Sequence, residues 1–327
     1  MEKTTKLFII IGISIAIIGL SIGVSFIIIH FTEEDDDEVS IVNRYDNTEE
    51  LSTKFPVKNK VTVLEGIEEK IQNRLLTGFE NWNRGFKAWK KWGEILYTEN
   101  SIYNVHGARL TLAQYQKSMD ITLKRTNILM GDFHNIIING DYTAIYYDIT
   151  TINGDKENPG TVMEFVKFKD YGGDLGTRVV EGWGGTKDES YTGMTYFQET
   201  DEKNEQNFQN YNLMNLQIPE TNELKDKYFI KYPVEYLDDN ANDILMKILT
   251  GFDSSNQGFD NYKTWINDNY KDNAKITVEG TEKTRSEYID YIKTLFDQKE
   301  ITKLYFDNIL IRDNWAAIHY RFRSKTK

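Results

Sequence analysis

Thr77-Gly-Phe-Glu-Asn-Trp-Asn-Arg-Gly-Phe-Lys-Ala-Trp-Lys-Lys-Trp92 returns later in the chain as Thr250-Gly-Phe-Asp-Ser-Ser-Asn-Gln-Gly-Phe-Asp-Asn-Tyr-Lys-Thr-Trp265. The offset between the two stretches is 173. It carries Tyr97 onto Tyr270, Val105 onto Val278, Gly107 onto Gly280, Tyr115 onto Tyr288 and Phe133 onto Phe306 without a gap, and continues through Ile145 and Ile318 to Tyr147 and Tyr320. Gapless self-similarity over this length is the mark of one structural unit written twice. The 327 residues leave room for about two domains of ordinary size.

Working outward, Ile67, Ile71, Leu75, Phe79 and Trp82 recur at helical spacing. Phe86, Trp89, Ile95 and Leu96 do so again after the break at Asn83-Arg84-Gly85. Residues 101–106 alternate as a strand, and Thr111 is placed to cap a third helix reaching about Lys124. Four strands are expected next, with cores at 133–138, 142–151, 161–168 and 177–183. Asn139-Gly140-Asp141 signals a hairpin between the first two, echoed by Asp313-Asn314. Asn153-Gly-Asp155 marks another turn, with Asn158-Pro159-Gly160 closing that loop. Helix, helix, strand, helix and a run of antiparallel strands make an α+β plan with helices on one face of a curved sheet.

The boundaries follow from composition. Leu7 to Ile29 carries no charge, and a helix of that length rises about 34 Å, enough for a hydrocarbon core of about 30 Å. Residues 7–31 are therefore expected to be an uncleaved transmembrane helix. Lys3 and Lys6 precede it and the acidic run of residues 33–38 follows, which puts residues 1–6 in the cytoplasm and the bulk of the chain outside it. Residues 32–53 read as a solvated acidic and polar stalk. Residues 54–197 make the first domain, opened by Lys54-Phe-Pro-Val57, and 198–230 a linker rich in Asn, Gln and Glu. Residues 231–327 make the second domain, opened by Lys231-Tyr-Pro-Val234 at a spacing four residues different. The second copy stops at the equivalent of Gly154, without partners for the strands at 161–168 and 177–183, and is expected to be truncated.

The formal net charge of −12 argues against nucleic acid as a partner. With no cysteine, disulfides and thiolate metal sites are excluded. No metal and no cofactor is expected.

The aromatic helix pair with Phe86, Trp89 and Trp92, then Tyr97-Thr-Glu-Asn, Tyr103-Asn-Val-His-Gly107, a helix from Thr111 and a late strand Val179-Val-Glu-Gly-Trp-Gly184, resembles the SnoaL-like branch of the nuclear transport factor 2-like superfamily. The resemblance covers about 65–187 well and 240–327 in part. It implies two cone-shaped domains, each with three helices on a curved antiparallel sheet and an apolar pocket at the open end. The superfamily includes polyketide cyclases, ketosteroid isomerases, dehydratases and members that only bind or scaffold, so fold does not decide activity. Its sheets commonly pack face to face, which implies an intramolecular pseudo-dimer of the two copies or a homodimer through the same faces.

Enzymatic members place a buried carboxylate in the pocket as a base, so an inward acid is what matters. Asp148 is set aside, because the positions shared by the copies are Ile145, Tyr147 and 149, which face the core and turn 148 outward. His106 and His134 read as surface histidines. Glu181, between Val179 and Trp183, and Glu164, between Val162 and Val166, are the better candidates, with Tyr103 or Tyr147 polarising a carbonyl. Trp82, Phe86, Trp89 and Trp183 are the expected pocket walls. A membrane-anchored tandem ligand-binding or protein-interaction module for a small apolar molecule is the reading the sequence favours. The alternative is a cyclase, isomerase or hydratase acting on an apolar carbonyl compound, which requires an enclosed pocket holding one inward carboxylate and a nearby donor.

Overall fold

The computed structural model describes residues 8–13, 24–29, 41, 53–55, 57–60, 64–105, 108–123, 127–173, 176–185, 217–232, 238–278 and 281–327. The chain divides into two units, Met1–Ser40 and Ile41–Lys327. In the first, β1 (Phe8–Ile13) pairs antiparallel with β2 (Val24–Ile29). This strand pair stands where one transmembrane helix over 7–31 was expected. Isoleucine and valine make up most of both segments, and β-branched residues suit extended backbone. Among the described residues no helix is long and apolar enough to cross a membrane.

The second unit opens with β3 (Val57–Lys60), then α1 (Ile67–Asn83), α2 (Phe86–Leu96), β4 (Tyr97–Val105), β5 (Ala108–Thr111), α3 (Leu112–Leu123), β6 (Asn127–Asn139), β7 (Tyr142–Asn153), β8 (Lys156–Asp170) and β9 (Thr177–Gly185). A second set follows: α4 (Leu224–Lys227), β10 (Ile230–Tyr232), α5 (Asp239–Asn256), α6 (Phe259–Asn269), β11 (Lys275–Val278), β12 (Thr281–Thr284), α7 (Arg285–Gln298), β13 (Lys299–Arg312) and β14 (Trp315–Thr326). The elements recur at the sequence offset. α2 maps onto α6, β5 onto β12 and β7 onto β14, residue for residue at both ends.

Packing explains why the quoted stretch is repeated. A Cβ on Gly78 would stand 2.5 Å from the Trp92 ring, and one on Gly251 would stand 2.6 Å from Trp265. Each glycine lets a tryptophan of the next helix lie flat against its own. Behind that contact Phe79 meets Phe133 and Tyr147 at centroid distances of 4.1 and 4.6 Å, and Phe252 meets Phe306 and Tyr320 at 4.0 and 4.8 Å. The caps repeat too. Thr111 and Gln114 bond reciprocally at the start of α3, as Thr284 and Glu287 do at the start of α7.

The same register corrects how the second set begins. Val57 lies opposite Phe133 and Ile230 opposite Phe306, so β3 and β10 are equivalent at the constant offset. Phe55 stands edge-on to Phe79 and Tyr228 edge-on to Phe252. Lys227-Tyr228-Phe229-Ile230, not Lys231-Tyr-Pro-Val234, therefore answers to Lys54-Phe-Pro-Val57, and the four-residue slip disappears. The second set starts inside the stretch read as linker. Asn158-Pro159-Gly160 does not close a loop either, since β8 pairs with β7 directly from Lys156.

Seven strands form one sheet in the order β3-β6-β7-β8-β9-β4-β5, antiparallel except for the parallel pairs β3·β6 and β4·β9. In the second set a three-stranded sheet runs β10-β13-β14. Among the described residues β14 has a partner on one side only. The helix-covered face of the large sheet holds the main core, including Leu76, Phe79, Trp92, Phe133, Ile145 and Phe168. Its other face carries Ile137, Tyr142, Ala144, Phe165 and Trp183, which pack with Leu310 and Ala317 of the small sheet. Polar ties border that contact. Asn139 Nδ2 donates to the Ile311 carbonyl at 3.0 Å, Tyr142 bonds to the Asn308 side chain, and Arg312 pairs with Glu68 at 3.0 Å. Glu68 also accepts from the Gly140 backbone N–H.

Candidate functional site

A cavity opens between α1, α2 and the inner face of the large sheet. Its volume is about 90 Å³ for the centres of water-sized molecules, several times the roughly 10–15 Å³ that a single water requires. The walls are aromatic and aliphatic: Trp82, Trp89, Trp92, Tyr97, Tyr115 and Ile149 among them. Trp82 is fixed by a 2.8 Å bond from its indole N–H to the Ile128 carbonyl and stands edge-on to Trp89.

One carboxylate enters this cavity. Glu164 sits on β8 between β7 and β9, and its alternation with Val162 and Val166 turns it inward as the sequence pattern indicates. Burial among apolar walls raises its pKa to about 7, while hydrogen bonds from the phenols of Tyr103 and Tyr147 pull the other way. Desolvation, and the charge of Glu164, hold the Tyr103 phenol well above its usual range. At neutral pH the site therefore offers a carboxyl group poised between its two forms, held by hydrogen bonds from two tyrosines.

Tyr103 is positioned from both sides. Tyr115 of α3 stacks on it with ring centroids 4.2 Å apart and planes 13° from parallel. On the sheet side a Cβ at Gly182 would fall 2.4 Å from the Tyr103 ring, and one at Gly184 would stand 3.3 Å from both the Tyr103 hydroxyl and Glu164 Oε1. The two glycines of Val179-Val-Glu-Gly-Trp-Gly184 thus make the bed on which the phenol and the carboxylate lie. Sequence reasoning quotes these glycines as part of a resemblance and misses this role. The signal available was their spacing of two on one strand, which leaves one face bare.

The other expected site residues stand elsewhere. Val179 faces the cavity opposite Phe168, but the pairing shifts there and the next matched pair is Glu181 with Lys167. This irregularity at Val180 reverses the alternation. Glu181 consequently leaves the cavity and binds Asn104 Nδ2 at 3.0 Å and Arg109 at 3.1 Å. Trp183 goes with it and packs against Tyr142 and Phe165 on the opposite face. Phe86 does not line the cavity, but backs onto Trp89 at 5.8 Å. Trp82, Trp89, Tyr103, Tyr147 and Glu164 are brought together. Asp148 points outward and pairs with His134 at 2.6 Å and with Lys58. His106 lies outside the described residues. Among the described residues no group of three or more His, Asp or Glu could hold a metal ion.

No family model matches this chain, and no curated protein matches it. Solved structures do. A protein described as a SnoaL-like polyketide cyclase from Jannaschia sp. CCS1 is 13% identical, with 39% of this chain and 92% of that one covered and a TM-score of 0.32. AclR from Streptomyces galilaeus, described as a hydroxylase, is 16% identical over 36% of this chain and 90% of its own, with a TM-score of 0.31. ActVI-ORFA from Streptomyces coelicolor is 11% identical over 37% and 98%, with a TM-score of 0.30.

Proposed function

We propose that residues 54–197 form a SnoaL-like domain that catalyses proton transfer on a small apolar carbonyl compound, as an isomerase or cyclase does. The observation that carries this reading is Glu164, a partly buried carboxylate set among apolar walls and bonded to two phenols. A site that only binds apolar ligands gains nothing from an ionisable group whose burial costs free energy. Glu164 as carboxylate takes the proton from the carbon next to the carbonyl. One phenol then donates to the enolate oxygen while the other still bonds to the carboxyl group. Returning the proton to a different carbon completes an isomerisation, and attack of the enolate carbon on a second carbonyl closes a ring.

The test is deuterium exchange from heavy water into a panel of small cyclic ketones. Wild-type protein should accelerate it, with a rate rising through pH of about 7 as Glu164 ionises, and Glu164→Gln should slow it by roughly 10²–10⁴-fold. Ketones that bind without exchanging would overturn catalysis and leave the binding module that the sequence alone favours.

The second set of elements belongs to this proposal as a second SnoaL-like domain, packed on the first through the sheets as an intramolecular pair. Attachment to a membrane through residues 7–31, with the bulk of the chain outside the cytoplasm, is also proposed. It is supported by the uncharged run from Leu7 to Ile29 between Lys6 and the acids at 33–38. Full-length chain that stays in the membrane pellet after alkaline carbonate washing, and leaves it when residues 1–40 are deleted, would bear this out. Full-length chain in the supernatant would refute it.

A further inference from the structure

The interior of the second set carries a different reactive group. Phe79, Trp89, Met130 and Tyr147 line the first cavity, and the offset of 173 places Phe252, Tyr262, Lys303 and Tyr320 at the same four positions. The structure keeps the correspondence, since Lys303 pairs with Phe322 on β14 as Met130 pairs with Ile149 on β7. Where the first set has a thioether, the second has a primary amine.

That amine is held by rings alone. Lys303 Nζ lies 4.8 Å from the centroid of Phe252, 4.8 Å from Tyr262 and 5.5 Å from Tyr320. Tyr262 on α6 and Tyr320 on β14 are phenols raised above their usual range by desolvation. Among the described residues no carboxylate lies against it. Burial lowers the Lys303 pKa to about 8, so near neutral pH a sizeable fraction is the free base. Lysines desolvated by an apolar cage are the ones that act as nucleophiles. The residue as a whole is half-buried.

We propose that Lys303 is a nucleophilic site that captures small aldehydes as imines. The nitrogen lone pair adds to the carbonyl carbon as the C=O π pair moves to oxygen, and a proton passes from nitrogen to that oxygen to give a carbinolamine. Loss of water breaks the C–O bond and leaves C=N. Amine and aldehyde give imine and water, with no change of oxidation state. Three apolar ring faces surround the reacting nitrogen, and the site is chemically distinct from the carboxylate site on the first set.

The experiment is trapping with a small aliphatic aldehyde and cyanoborohydride at pH 7.5 on the full chain, with labelled lysines located by peptide mapping. Lys303 should be modified on the order of tenfold or more faster than exposed lysines such as Lys275 or Lys247, because far more of it is unprotonated. Lys303→Met, which installs the residue found at position 130, should remove the fast site and leave the others unchanged. Labelling of Lys303 no faster than Lys275 in the wild-type chain overturns the proposal, and that measurement does not depend on the variant folding.

Discussion

The two halves of the second unit share a frame and differ in what the frame encloses. Gly78 and Trp92 answer to Gly251 and Trp265, Phe79 and Phe133 to Phe252 and Phe306, and the cap at Thr111 to the cap at Thr284. Inside, Trp82 has become Ser255, Tyr103 has become Ile276, and Met130 has become Lys303. The packing of helix on helix and helix on sheet is retained, together with lining residues such as Phe79 and Tyr147, while three interior positions are exchanged. On the face of the strands away from the helices the pairing outlasts the residues: His134 with Asp148 in the first half becomes Asp307 with Arg321 in the second, at 2.8 Å. A cross-strand polar pair with one acid is common to both halves at this position, and either strand supplies the acid.

The largest effect that could break this contrast is catalytic. Glu164→Gln should lower proton transfer by roughly 10²–10⁴-fold, and Tyr103→Phe by a smaller factor, about tenfold, since Tyr147 still holds the carboxylate. Lys303→Met should leave that activity unaltered, and steady-state assays of all three variants would show whether the two interiors are independent.

The frame comes next. Gly78→Ala and Gly251→Ala each push a methyl group into a tryptophan ring at about 2.5 Å and should each cost roughly 3 kcal/mol in denaturant unfolding. If one of the pair is neutral, the halves are not built alike.

A third test uses pH. Glu164 has its pKa raised to about 7 in the folded chain against about 4.3 unfolded. The folded state therefore binds the extra proton between those values. Its stabilising effect is complete below about pH 4.3 and is lost as pH rises through about 7, by roughly 3–4 kcal/mol at pH 8. Glu164→Gln should flatten this part of the stability profile. Smallest of all, Thr111→Ala and Thr284→Ala should each cost about 1 kcal/mol, measured by thermal unfolding.

How much of this was written in the sequence depends on what carries each feature. The repeat, the helix pair and the parity of β7 and β8 are carried by large side chains at regular spacing, so Tyr147 and Glu164 could be turned inward on paper. The direction of β9 could not. Val179 and Val180 are both apolar, and Gly182 and Gly184 have no side chain to mark a face, so nothing in the residue pattern reports that the alternation reverses between them. Glu181 and Trp183 were assigned to the wrong face for that reason alone. The start of the second half is obscured in the sequence because Tyr232-Pro-Val234 is more similar to Phe55-Pro-Val57 than Tyr228-Phe229-Ile230 is, whereas strand pairing opposite Phe306 respects position and not identity. For the apolar N-terminal run, length and lack of charge point to a helix, yet isoleucine-rich segments also suit strands, and Phe8–Ile13 with Val24–Ile29 take that form.

The contact of Phe165 and Trp183 with Leu310 and Ala317 joins two related bodies that are not copies. When such a pair is assembled from identical chains, each codon change is imposed on both members at once, and a lysine tolerated in one interior must be tolerated in the other. Tethering the bodies on one polypeptide removes that constraint. A charged group can arise at position 303 while its counterpart at 130 stays greasy, and the molecule can acquire a second chemistry without surrendering the first.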